Sequence, residues 1–283
     1  MKPQASAPPW QPLTFGGVAA FAHGTLGRLL RVQLVVALVN TSVLLWFFST
    51  AWLPVLHQAL IELPSEAGIQ RGQLLWEGRS PVVLGETTFL GLALNAAGTL
   101  TPGTTADLEI LLTPKTVRFS SLFGHLSLAY PSGWTVDLSQ RNVTTWWQAW
   151  RRALFVGLLA VGVTLMLVFG WTLGLVAAWP VLLVGRLLRR DLTAGGAWRL
   201  AVAAGLPAGL MVSSAILLYG VNRVSLLGLL LACAAHFLVL AVYVFFAPWR
   251  LPRRSRGTSR TANPFVPRDQ ARGRQRSENP FAG

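Results

Sequence analysis

The sequence predicts a membrane protein, mainly α-helical, in which a four-span bundle carries an inserted β-rich extracytoplasmic domain, a small antiparallel sandwich or barrel-like unit. Three observations predict it. The chain has 283 residues, 53% hydrophobic and only 12% charged, where an ordinary soluble domain carries about a quarter charged residues. Four apolar runs are long enough for the roughly 20 residues of helix that cross a hydrocarbon core about 30 Å thick. Between the first two runs the apolar residues come in shorter stretches and alternate with polar ones, the period of a strand.

The runs are 32–56, 153–176, 200–219 and 225–247, with arginines gathered at their ends. The first is longer than a signal-peptide core and begins 31 residues into the chain, which fits an uncleaved anchor. In residues 1–31, Phe15, Val18, Ala22, Leu26 and Leu29 recur at helical spacing. That segment reads as an interfacial amphipathic helix or as a flexible lead-in.

Charge orients the spans, because Lys and Arg stay on the cytoplasmic side. Four spans put both termini on one side, which then carries 16 of the 24 bases, leaving 8 on the other. Cytosolic termini and an outer domain follow. Arg151 and Arg152 abut the outer end of the second span; with Trp146, Trp147 and Trp150 they form, over 149–176, an anchor and transmembrane helix. The rings are expected at the headgroups and the guanidinium groups in water.

The outer domain, 57–148, reads as strands. Ala106, Leu108, Ile110 and Leu112 alternate with Asp107, Glu109 and Leu111; Leu126, Leu128 and Tyr130 alternate with Ser127 and Ala129. Gly, Pro and Asn punctuate the turns, including one at 101–103. GQLLWEGRSPVVLG is read as two strands around a turn at 79–81, and TVRFSSLFGHLSLAYPSGWTVDL as a meander. The domain holds seven acids, and five bases before the Trp anchor, with no cysteine, so its own core must hold it together.

Catalytic signatures are sparse. Asp107 and Glu109, two apart on a strand, point to one face, as a paired-carboxylate catalyst or a cation site requires, and equally as any wet strand face does. No nucleophile elbow, phosphate loop or dinucleotide fingerprint occurs. One cysteine, Cys233, excludes Cys-cluster metal sites. No catalytic residue, metal or cofactor is expected.

Inside the spans the polar candidates are His236, Asn40, Ser213 and Ser214. Gly170-x-x-x-Gly174 and Gly205-x-x-x-Gly209, the latter enclosing Pro207, predict close helix crossings. Converging, the polar side chains would bind a proton, an ion or a lipid headgroup; apart, they would be interhelical hydrogen bonds. Loop 177–199 reads as an amphipathic helix opened by Pro180, with Arg186, Arg189 and Arg190 toward anionic lipid.

Residues 248–283 form a basic tail expected to be disordered, with Arg250, Arg253 and Arg254 as a juxtamembrane clamp. Asn-Pro-Phe stands at 263–265 and again at 279–281. It resembles the Asn-Pro-Phe peptides recognised by EH domains in eukaryotic membrane trafficking, although the arginine-rich, Ala/Gly/Leu-rich composition points to a GC-rich bacterial genome. A cytosolic partner for the tail is expected, and nucleic acid is not.

The resulting expectation is a non-enzymatic protein of the bacterial inner membrane, acting as scaffold, assembly or sensing factor through a protein partner of 57–148 and held by anionic lipids. The alternatives are a small transporter or channel-like bundle using His236 and Asn40, and an envelope enzyme using Asp107 and Glu109.

Overall fold

The computed structural model describes residues 12–98 and 104–254. The Asn-Pro-Phe repeats, most of the basic tail and the turn at 101–103 lie outside them.

Four helices are long and apolar enough to cross a membrane by length and composition. Thr14 opens α1 (Phe15–Ala20), its hydroxyl accepting from the Gly17 N–H at 3.1 Å. A bend follows, and Thr25 caps α2 (Leu26–Phe47) in the same way. The lead-in is therefore two helices rather than one interfacial helix. Val18, Ala19, Phe21 and Ala22 are buried against the other helices, while Gly16, His23, Thr25 and Gly27 are exposed.

Helix α2 passes through a π turn, Phe48–Trp52, into α3 (Leu53–Glu62). Pro54 lacks the N–H that would continue the ladder. The hydroxyls of Ser49 and Thr50 donate to the Trp46 carbonyl at 2.8 and 3.0 Å as the turn widens. Helix therefore persists to Glu62, past the end of the apolar run.

Eight short strands follow: β1 (Ala67–Gln70), β2 (Gln73–Trp76), β3 (Val82–Glu86), β4 (Leu90–Leu94), β5 (Leu108–Leu112), β6 (Thr116–Ser121), β7 (Gly124–Ala129) and β8 (Thr135–Asp137). They form two sheets, β2-β1-β8 and β3-β4-β5-β6-β7. Arg71 and Gly72, both at positive φ (53° and 76°), make the tight β1–β2 turn. Strands β4 and β5 are parallel and the remaining pairs antiparallel.

The last three helices are α4 (Gln140–Leu187), α5 (Ala194–Gly220) and α6 (Leu226–Phe246). At 48 residues α4 extends about 70 Å. Pro180 lies inside it and opens no new helix. Helix α5 is the centre: Leu200, Ala203, Ala204 and Ala208 are wholly enclosed, and α1, α2, α4 and α6 all pack on it.

The fold is thus not the four-span bundle with an antiparallel sandwich that the sequence predicts. In a bundle each helix buries a face, but α4 buries none of its most apolar eighteen residues, because it rests on its neighbours through a few small positions such as Gly174, Ala177, Val181 and Gly185. The strands are not one antiparallel sandwich either. The GQLLWEGRSPVVLG segment sends β2 and β3 to different sheets, and the meander loses β8 to β1, since parallel pairing of β4 with β5 places the β6–β7 hairpin at one end of the larger sheet.

The chain leaves and re-enters the helices at one clamp. The Gln140 side chain donates to the Ile61 carbonyl, and its backbone N–H to Pro64, both at 3.2 Å. Asp137 closes the entry to α4. Hydrogen bonds from Ser139, through side chain and backbone, and from the Asn142 amide hold its carboxyl below the ordinary range. A lowered folded-state pKa gives stability that is complete above the unfolded value, about 3.9, and is lost as pH falls through the folded one. Thermal unfolding followed between pH 6 and pH 3 is therefore expected to show an acid-side loss of stability that Asp137→Asn reduces.

Candidate functional site

A half-open cavity of about 570 Å³ lies between α2, α4, α5 and α6, with Leu165, Phe169 and Phe237 at its exposed rim. Small residues open it. A Cβ on Gly205 would meet nothing within 4 Å, so this glycine borders the space rather than making the close crossing its spacing suggests. The other three predicted glycines border it too, each against a neighbouring side chain: Gly170 at Gln33, Gly174 at Val202 and Gly209 at Asn40.

Three of the four predicted polar residues meet at this cavity: Asn40 from α2, Ser213 from α5 and His236 from α6. The Ser213 hydroxyl donates to Asn40 Oδ1 at 2.8 Å. Ser214 does not join them. It is exposed, and its hydroxyl donates to the Leu210 carbonyl of its own helix, as serine in a helix commonly does.

Gln33 is not among the polar candidates singled out from the sequence. It is 5% exposed, lines the cavity, and accepts the Trp171 indole N–H at 2.8 Å. An indole only donates, so the Gln33 oxygen must face Trp171 and its NH₂ must point elsewhere. Position 33 lies seven residues before 40, two turns along the same face, and that spacing was the available signal.

The outer sheets form a second site. Asp107 and Glu109 border a cavity of about 400 Å³ together with Ser120, Ser121 and the first residues of α6. They do not act as a free pair. The Tyr219 hydroxyl, at the end of α5, donates to Asp107 Oδ2 at 2.6 Å. Glu109 is pushed up chiefly by burial, opposed by nearby Arg118 and assisted by the Glu86 charge. Asp107 is thereby a link between strand and helix. The rings of Phe47, Phe89 and Tyr219 pack within 4.9–5.4 Å around it, and the Thr87 hydroxyl donates to the Ala51 carbonyl at 3.0 Å. A Cβ on Gly85 would come within 2.8 Å of the Val55 carbonyl, so β3 lies directly on α3.

One face of the larger sheet carries apolar rows. Leu94, Leu112, Val117 and Leu128 are successive cross-strand neighbours, as are Leu92, Ile110, Phe119 and Leu126. The smaller sheet and α3 cover the end of these rows at β4, where Leu94 is wholly buried with Ile69, Leu74 and Ala59. Among the described residues nothing covers the end at β7. Leu126 and Leu128 are 59% and 50% exposed, and Phe123 at the β6–β7 turn is 78% exposed.

The predicted interface anchors divide. Trp146, Trp150, Arg151 and Arg152 are exposed on the first turns of α4, whereas Trp147 is half-buried. Arg186, Arg189 and Arg250 reach solvent, but Arg190 is structural. Its guanidinium donates to the Leu251 carbonyl at 2.7 Å, and the 189–191 and 252–254 backbones pair beside it. Arg253 and Arg254 thereby begin the tail on a fixed ledge.

Among the described residues no cluster of His, Cys, Asp or Glu could hold a metal ion. Removing the Tyr219 hydroxyl should leave the Asp107 carboxylate half-buried without its donor, a loss of about 1–3 kcal/mol. Tyr219→Phe is expected to lower the unfolding temperature of the full chain and to speed amide exchange in β5, with the helices unaffected. The chain matches no family model, no curated protein and no solved structure.

Proposed function

We propose that this chain is a non-enzymatic, multi-pass protein of the bacterial inner membrane, with both termini cytosolic, whose β unit stands outside and acts as a scaffold, assembly or sensing element for a protein of the envelope. The observation that carries this reading is the uncovered apolar face at β7. Leu126, Leu128 and Phe119 continue the rows in which Leu94 is buried and Leu92 partly buried at the other end of the sheet. Apolar side chains beside an unpaired edge strand form a surface that another chain completes, by adding a strand or by covering the face.

The membrane position is supported by the four apolar helices and by the arginine excess on the inner side. The exposed apolar length of α4 then faces lipid, and its Trp146–Arg152 turn lies at the outer headgroups. The link from Tyr219 to Asp107 and from Thr87 to Ala51 joins the partner surface to α5 and to the π turn, so a load on the sheet is felt by the helices.

A photoreactive residue at position 126 in the full-length chain, in its native membranes, is expected to give one adduct of discrete mass. Leu128→Lys in the same chain should reduce that adduct at least fivefold without altering membrane insertion or the unfolding temperature. No adduct, or one indifferent to Leu128→Lys, would contradict the reading.

A further inference from the structure

We propose that the cavity between α2, α4, α5 and α6 is a binding site for an uncharged, hydrocarbon-rich lipid molecule that presents carbonyl oxygens to the carboxamide NH₂ groups of Gln33 and Asn40. The inference shares with the preceding section only the premise that the helices lie in lipid, and it concerns a different part of the molecule.

The Gln33 oxygen is held by Trp171. Gln33 is 5% exposed, and among the described residues its NH₂ group makes no hydrogen bond. That donor borders the cavity without a protein acceptor, and such groups in folded proteins generally meet one. The Asn40 oxygen is likewise occupied, by Ser213, which turns its NH₂ toward the space beside Gly209. The two donors lie two turns apart on α2, about 10 Å along its axis, and both border the same cavity.

The remaining lining selects the ligand. No Asp, Glu, Lys or Arg borders the cavity, and its walls are apolar side chains such as Leu165, Phe169, Leu206 and Phe237. A charged headgroup would find no counter-charge there and would lose its hydration. An uncharged molecule with a long hydrocarbon part and two or more acceptor oxygens matches both the walls and the donors. The volume, about 570 Å³, falls within the range of small-molecule sites. Ester lipids and prenylated ketones share this chemistry.

Gly205 supplies the test, since a side chain there enters open space without meeting the fold. The full chain, purified in detergent, is titrated with methyl 9,10-dibromostearate, an uncharged ester whose bromines quench nearby tryptophan; Trp171 lies against Gln33. Wild type and Gly205→Ala are expected to show saturable quenching, Gly205→Phe at least a tenfold weaker apparent affinity, and Gln33→Met about a five- to tenfold loss. The free acid, as its anion, should bind at least tenfold more weakly than the ester. Organic extracts of the purified wild type should contain an uncharged carbonyl lipid that is depleted from Gly205→Phe; its mass distinguishes an ester lipid from a prenylated ketone. Absence of saturable quenching in wild type, equal binding by Gly205→Phe, or preference for the acid would overturn the proposal. None of these results bears on the cross-link at position 126, so the two readings fail separately.

Discussion

Everything else in this molecule is arranged around the burial of α5. Its sequence alternates Ala and Gly with a few larger apolar residues, and Ala197, Ala201, Ala203, Ala204 and Ala208 are all enclosed. Small side chains let helix backbones approach closely, which gains dispersion contacts that bulkier residues would hold apart. The same choice has a second consequence. At Gly205, where a Cβ would meet nothing within 4 Å, the helices do not fill the space and a cavity remains. Tight packing and an internal space thus come from one composition, decided position by position by what stands opposite.

The far end of α5 extends this constraint to the strands. Tyr219 is both the last enclosed aromatic residue of the helix and the donor to Asp107, and Phe47 and Phe89 close around it. The β unit is therefore seated on the helices through contacts that include the Tyr219–Asp107 bond, the Thr87–Ala51 bond, the close approach of Gly85 to Val55 and the packing of Ala59 against Leu94. Seated in this way, it buries one end of its larger sheet and leaves the β7 end bare. Under the proposed function that bare end is where a partner is met, while the cavity in the helices is a separate, lipid-facing matter.

Much of this was legible in the sequence. Length and hydropathy located the four long apolar helices, because a run of some twenty apolar residues without charge has few other uses. Alternation located β5 and β7, because the strand period is fixed by geometry, but it assigned the wrong row of β5 to the core: Leu111, grouped with Asp107 and Glu109, is the buried residue. Residue type singled out Asn40, Ser213 and His236, which border one cavity; the Gly-x-x-x-Gly spacing predicted close crossings, and Gly205 makes none. What was not legible depends on long-range pairing. Nothing local in the sequence tells β2 to join β1 and β8, or β4 to lie parallel to β5. Pro180 reads as a helix start, yet it is accommodated within α4 once α5 packs alongside. Gln33 was not singled out as a candidate because its importance rests on Trp171, 138 residues away, and Asp107 read as a wet-face carboxylate because Tyr219 is 112 residues away.

The central claim is that the close packing of α5 through its small side chains holds the molecule together. It is tested most directly by thermal unfolding of the full-length chain, followed by tryptophan emission, with Ala204→Leu compared to Val168→Ala on the exposed side of α4. Overpacking a filled site costs about 1–3 kcal/mol. The account predicts a clear drop in unfolding temperature for Ala204→Leu and almost none for Val168→Ala. An unchanged temperature for Ala204→Leu, or a larger drop for Val168→Ala, would contradict it.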